Sequence, residues 1–250
     1  MKKYLLGAAA ALAIATPGIA SAQSGHIDLG YATTDAGAFD IDTTTLGGAY
    51  SWGGNGSVGF QVDGNFGWHE YDGGGPEVDT YNIGGHAFVR DTGHLIGGFV
   101  NFGNTDFDGF IDYDYWTIGA EGALYLSRTT IDGTLSWSDS EDLDRSLTAL
   151  DLGVTHFISD NFSIGGNVGF GEIDSGGSDF TTLGVSTEYQ FAAMPISIYG
   201  GYSTTDFDGF DADTLSVGVR YNFGGTLFDR DRSGASLTRN GGFGRLGGIL

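Results

Sequence analysis

The stretch Thr214-Leu215-Ser216-Val217-Gly218-Val219-Arg220-Tyr221-Asn222-Phe223 decides how the rest of the chain is read. Leu215, Val217, Val219, Tyr221 and Phe223 alternate with Thr214, Ser216, Gly218, Arg220 and Asn222. Successive side chains of an extended strand point to opposite faces, so this period of two describes a strand with one apolar and one polar face.

The same period recurs upstream. Val58, Phe60, Val62, Phe66 and Trp68 alternate with Gly59, Gln61, Asp63, Asn65 and Gly67, and Leu183, Val185, Tyr189 and Phe191 with Thr182, Gly184, Glu188 and Gln190. The pattern predicts twelve strands, near 26–33, 40–52, 57–69, 78–90, 94–104, 112–127, 129–138, 146–158, 161–172, 179–191, 195–204 and 211–223. Ten or fourteen strands stay open, because the segments 26–33 and 94–104 carry the least regular alternation. Short plain turns such as 91–93 and 159–161 alternate with longer acidic loops such as 72–77 and 205–212. That asymmetry is the signature of an up-and-down meander. Thr105-Asp106-Phe107-Asp108-Gly109-Phe110 repeats letter for letter as residues 205–210, which suggests a duplicated hairpin.

Composition removes several classes of function. Of 250 residues, 32 are acidic and 10 basic, for a net charge of −22. A phosphate backbone would be repelled, so the chain is not a nucleic-acid binder. The absence of cysteine excludes a disulfide scaffold and a zinc–thiolate centre. Residues 1–22 read as a cleavable export signal, with Lys2 and Lys3, the apolar run Leu5–Ile14, and the small-residue site Ala20-Ser21-Ala22. The mature chain is then expected to begin at Gln23. Beyond it no apolar stretch of about 18 residues occurs, so no spanning helix is expected.

A soluble β-sandwich also alternates apolar and polar faces. Four features favour a membrane barrel. Every tryptophan (Trp52, Trp68, Trp116, Trp137) lies on the apolar phase near a strand end, where interfacial girdles form. Only Arg90, Arg128, Arg145 and Arg220 are basic in 23–223. The strand count is even and the loops are asymmetric, and a closed barrel alone satisfies every lipid-exposed backbone group without helices. With the export signal, the dyad strands, the aromatic girdles and the closing strand Leu215–Phe223, residues 1–223 resemble the Gram-negative outer-membrane β-barrels of the porin-like superfamily. The resemblance implies an all-β transmembrane antiparallel barrel in the cell outer membrane, surrounded by lipid and lipopolysaccharide. It also implies that Tyr221 and Phe223 are read by the barrel assembly machinery. One departure is plain: the family usually ends at that aromatic, whereas residues 224–250 follow here. That tail holds Arg230, Arg232, Arg239 and Arg245 against Asp229 and Asp231 and is glycine-rich, which predicts a disordered periplasmic segment. Its charge of +2 against −26 for the barrel offers a second reading, a partial plug in an acidic lumen.

If the apolar phase meets lipid, the other phase lines the interior. It presents Asp28, Asp63, His86, Arg90, Glu121, Asp132, Asp151, Glu188 and Arg220 as candidate pore-lining residues. Six confined carboxylates favour cations. Interior glycines such as Gly59, Gly119, Gly153, Gly165 and Gly184 would remove bulk and leave room for water. The function expected is passive, cation-leaning diffusion of small hydrophilic solutes. The alternative is a non-conducting structural or surface-interaction barrel with acidic extracellular loops. Asp106, Asp108, Asp206 and Asp208 resemble fragments of calcium loops but lack the full ligand pattern. No G-x-S-x-G elbow or H-E-x-x-H motif occurs, so neither an enzyme nor a cofactor is expected.

Overall fold

The computed structural model describes residues 24–54, 56, 58–75, 77–107, 111–174, 178–237 and 243. The export signal predicted over 1–22 and Asp108 of the calcium-like loop lie outside them. Twelve strands occur among the described residues: β1 (Ser24–Asp35), β2 (Asp40–Gly53), β3 (Val58–Tyr71), β4 (Val78–Arg90), β5 (His94–Phe107), β6 (Ile111–Leu126), β7 (Thr129–Ser140), β8 (Arg145–Ser159), β9 (Phe162–Ile173), β10 (Ser178–Gln190), β11 (Ile196–Phe207) and β12 (Phe210–Phe223). Each pairs antiparallel with its sequence neighbours, and β1 closes on β12 from Gly25↔Phe223 to Asp35↔Asp213. Closure leaves no sheet edge unpaired.

The alternation fixes which face points where. Leu29, Leu46, Phe60, Ile83, Phe102, Ile118, Leu135, Leu152, Leu183, Val217 and Tyr221 all face outward. All four tryptophans join them, with exposures of 37 to 44%. So continuous an apolar exterior suits lipid, not water. Its upper limit is marked by side chains of the same outward phase. Two residues beyond Trp68 stands Glu70; two before Trp116 stands Asp114; two beyond Trp137 stands Asp139. The exterior thus changes from indole to carboxylate within one step of the strand.

Inside, polarity runs the other way. At the long-loop end the inward phase turns apolar: Ala36, Tyr113, Tyr115, Leu147, Ile173, Phe180, Phe207 and Ala212 are buried together. This explains why β5 and β11 run to Phe107 and Phe207, three residues beyond their predicted ends at 104 and 204: those side chains belong to the cluster. Thr105-Asp106-Phe107 continues the strand because Thr105 is fully buried inward while Asp106 faces out.

The interior glycines do something other than clear space. A methyl group at Gly119 would run into the ring of Phe99, at Gly59 into Phe88, at Gly171 into Phe180, and at Gly103 into Tyr115. Gly153 and Gly184 likewise receive the side chains of Asp132 and Asn167. These glycines are seats on which inward side chains of the neighbouring strand lie flat. Close approach, rather than a widened water space, accounts for them.

The chain after β12 is not loose where it is described. Gly224 and Gly225 take positive φ values of 104° and 83° and turn it back, and a helix, α1 (Leu227–Ser233), follows. Thr226 caps it: its hydroxyl accepts from the Asp229 N–H at 3.1 Å, while the Asp229 carboxylate accepts from the Thr226 N–H at 3.0 Å. This reciprocal box satisfies two otherwise orphaned donors. The disorder expected for this stretch from composition is replaced by an ordered turn because the helix has a wall to pack on.

Candidate functional site: the lumen and its tail

All nine candidate lining residues fall on the inward phase, and Asp28, Asp63, His86, Arg90 and Glu121 are buried. They form groups rather than one uniform acidic wall. In the first, Arg220 donates to Glu188 at 2.6 Å and lies 3.8 Å from Asp28, with its guanidinium over the ring of Tyr199. Ser197 also donates to Glu188, at 2.5 Å. In the second, His86 sits between two carboxylates, with Nε2 2.8 Å from Asp63 and Nδ1 3.0 Å from Glu121. Each ring nitrogen therefore has a carboxyl group within hydrogen-bond distance. Its ring stacks on Phe99, and Gln61 donates to Asp63 at 2.9 Å.

The tail joins these groups. Arg230, 5% exposed, donates to the same Glu188 at 3.3 Å, so one carboxylate holds two guanidinium groups. Burial lowers the Arg230 pKa to about 10, with Glu188 drawing it back up, so it stays charged at neutral pH. Asp231 accepts from Thr130 at 2.6 Å and pairs with Arg232 at 3.2 Å. Burial raises its pKa, and the Thr130 hydroxyl and the Arg232, Arg90 and Arg230 cations oppose the rise. Arg232 also donates to the carbonyls of Ser127 and Thr129 and lies over the rings of Tyr125 and Phe228. Further along, Arg90 donates to Ser236 at 3.2 Å. Gln61 both donates to and accepts from the Leu237 backbone at 3.3 Å. Phe243, 1% exposed, packs against Tyr115 in the loop-end cluster.

Two cavities remain between tail and wall. One of about 400 Å³ is bordered by His26, Glu188, Tyr199, Arg220, Arg230 and Asp231. The other, about 260 Å³, is bordered by Glu121, Thr130, Asp132, Asn167 and Asp231. Asp132 and Asp151 belong to the second side of the barrel, where no arginine of the wall stands opposite them in register.

The calcium-like segments do not converge. Asp106 lies in register with Asp79 and Asp112 on one side of the barrel, and Asp206 with Thr181 and Asp211 on another. Among the described residues no group of three or more His, Cys, Asp or Glu could hold a metal ion. Asp206 and Asp208 are exposed.

Arg230, Asp231, Arg232 and Phe243 are not among the lining residues expected from the sequence, which brings the tail into the lumen only as the second reading, a partial plug. The spacing Thr226-x-x-Asp229 after two glycines was a readable capping signal, and the opposite charges of tail and barrel were a readable attraction.

No family model and no curated protein matches the sequence. Solved structures do. The KdgM porin, in complex with disordered oligogalacturonate, aligns with a TM-score of 0.59 at 10% identity, over 80% of this chain and 99% of that one. The COG4313 outer membrane channel from Pseudomonas putida F1 gives 0.59 at 14% identity, over 83% and 97%. The translocator domain of the autotransporter NalP from Neisseria meningitidis gives 0.56 at 12% identity, over 86% and 93%. The chain has the fold of the outer-membrane β-barrels: a closed, antiparallel, twelve-stranded barrel.

Proposed function

We propose that this protein is a porin-like channel of the outer membrane through which small hydrophilic solutes diffuse passively, with a preference for cations. The observation that carries the reading is the charge around the two lumen cavities. Glu121, Asp132 and Asp231 border the smaller, with no arginine or lysine among the described residues of its lining, whereas Arg220 and Arg230 offset Glu188 and Asp231 around the larger, inside a barrel segment whose net charge is −26. In a narrow low-dielectric passage such a field concentrates cations and repels anions. The oligogalacturonate held by the KdgM porin is a polyanion and is therefore a poor guide to the solute here. The outward apolar band and the likeness to outer-membrane channels support the location, with lipopolysaccharide around the acidic rim and Tyr221 and Phe223 as the assembly signal.

The test is conductance of the refolded mature chain in a planar bilayer under a KCl gradient. Discrete steps with a cation-selective reversal potential support the channel. Charge reversal of Glu121 and Asp151 to Lys should then move the reversal potential toward anions, and unchanged potentials in both variants would remove those residues from the pathway. The tail across the lumen favours one competing reading, a non-conducting structural or surface-interaction barrel. A silent but correctly folded, heat-modifiable barrel would establish that reading instead.

A further inference from the structure

We infer that the segment Thr226–Leu237 is a built-in plug: docked in the lumen it obstructs the channel, and the channel conducts when the segment leaves. The inference rests on the channel reading above but concerns how the pore is closed.

The segment is tied to the wall all round the short-turn end. At the short-turn end the Phe228 N–H donates to the Asp160 carbonyl at 3.0 Å, and the Ala235 N–H lies 3.5 Å from the Ser24 hydroxyl. Within four residues of the same ends of their strands, Arg230 meets Glu188 on β10, Asp231 meets Thr130 on β7, Arg90 on β4 meets Ser236, and Gln61 on β3 grips Leu237 through two hydrogen bonds. Partners on β1, β3, β4, β7 and β10 surround the segment, so it crosses the bore rather than lining one side. Phe243 lies in the cluster at the opposite end.

The chemistry of these contacts is that of a removable occupant. Leu227 and Ala235 are buried, Phe228 packs edge-on against Phe157 and Leu237 against the Phe88–Leu95–Tyr125 cluster, and the remaining contacts are ion pairs and hydrogen bonds, which water can replace. Arg220 remains on Glu188 when Arg230 leaves, so that carboxylate is not stranded. A permanent filling of the lumen would be expected to resemble the apolar loop-end cluster instead. Asp229 and Asp231 balance Arg230 and Arg232, so the segment is neutral as a whole and the attraction is local, centred on Arg230 at Glu188.

The test uses the full mature chain. Arg230→Glu places a carboxylate against Glu188 and should raise open-channel probability at least tenfold over wild type. Ser24→Cys with Ala235→Cys, in a chain that has no other cysteine, should form a disulfide that locks the segment. Oxidation should silence the Arg230→Glu variant and reduction should restore it. A separate readout is thiol labelling of Ala235→Cys, slow in the otherwise wild-type chain and at least tenfold faster with Arg230→Glu. Unchanged labelling means that the pair does not hold the segment and overturns the inference, leaving the channel reading intact. Faster labelling in a barrel that stays silent overturns both. Equal conductance of the oxidised and reduced lock shows that solutes bypass the segment, and overturns the plug alone.

Discussion

Gly103→Ala tests whether the lumen glycines are seats for aromatic rings. A methyl carbon there would lie 2.8 Å from Cε1 of Tyr115 and closer still to Cζ and Oη. Tyr115 is 4% exposed and cannot retreat freely, since its ring packs on Phe243 at 6.2 Å and on Tyr113 at 6.5 Å. Relief therefore requires moving the cluster at the loop end. Overpacking of this kind costs about 1–3 kcal/mol. Replacing glycine within a strand returns roughly 0.5–1 kcal/mol, which at the middle of both ranges leaves a net loss of about 1 kcal/mol. The assay is urea unfolding in detergent micelles, followed by tryptophan fluorescence. In a Tyr115→Leu background the obstructing ring is gone, and Gly103→Ala should become neutral or mildly stabilising, a coupling of about 1–2 kcal/mol between adjacent sites. Two results would refute the reasoning: an unchanged midpoint for Gly103→Ala alone, or an equal loss in both backgrounds.

Thr226→Ala removes the hydroxyl that caps α1 and should weaken the helix by about 1 kcal/mol, read as faster hydrogen exchange of amides 227–233 with the barrel amides unaffected. Acidification acts on the docked tail through Asp231. Its pKa is raised in the docked state by burial, whereas a released tail exposes an ordinary carboxyl. The docked form therefore holds the proton more tightly, and docking strengthens as pH falls from the raised value toward the ordinary one. Asp132, Arg90, Arg230, Arg232 and Thr130 all act on this group. Asp231→Asn should flatten the response in that window, measured as tail-amide exchange corrected for intrinsic rates; an unaltered pH profile would locate the titration elsewhere.

Period-two alternation was enough to read the strands and the direction of each side chain, because a one-residue slip would turn Leu215, Val217 and Val219 into the lumen, and it gave twelve as the expected count while leaving ten or fourteen open. Alternation carries no information about depth. It could not show that the inward phase becomes apolar at Tyr113, Tyr115 and Phe180, although the change was visible on the outward phase as Trp68 gave way to Glu70 and Trp137 to Asp139. Composition likewise misjudged the tail. Glycine and charge disfavour a self-sufficient core, but Thr226–Leu237 does not need one, since its apolar and ionic partners are supplied by the barrel wall. The disposition of lumen charge follows from this. Glu188 serves both Arg220 of the wall and Arg230 of the tail, and Asp63 and Glu121 share His86, so much of the acidity counted from sequence is committed to structure. Asp132 stands apart, facing Asp231 of the tail across the smaller cavity. When the tail leaves, that carboxylate of the tail leaves with it, while Arg230 takes away one of the two cations on Glu188. The vacated bore gains negative charge on the β10 side, so the acidity that holds the segment in place becomes the acidity that a passing cation meets.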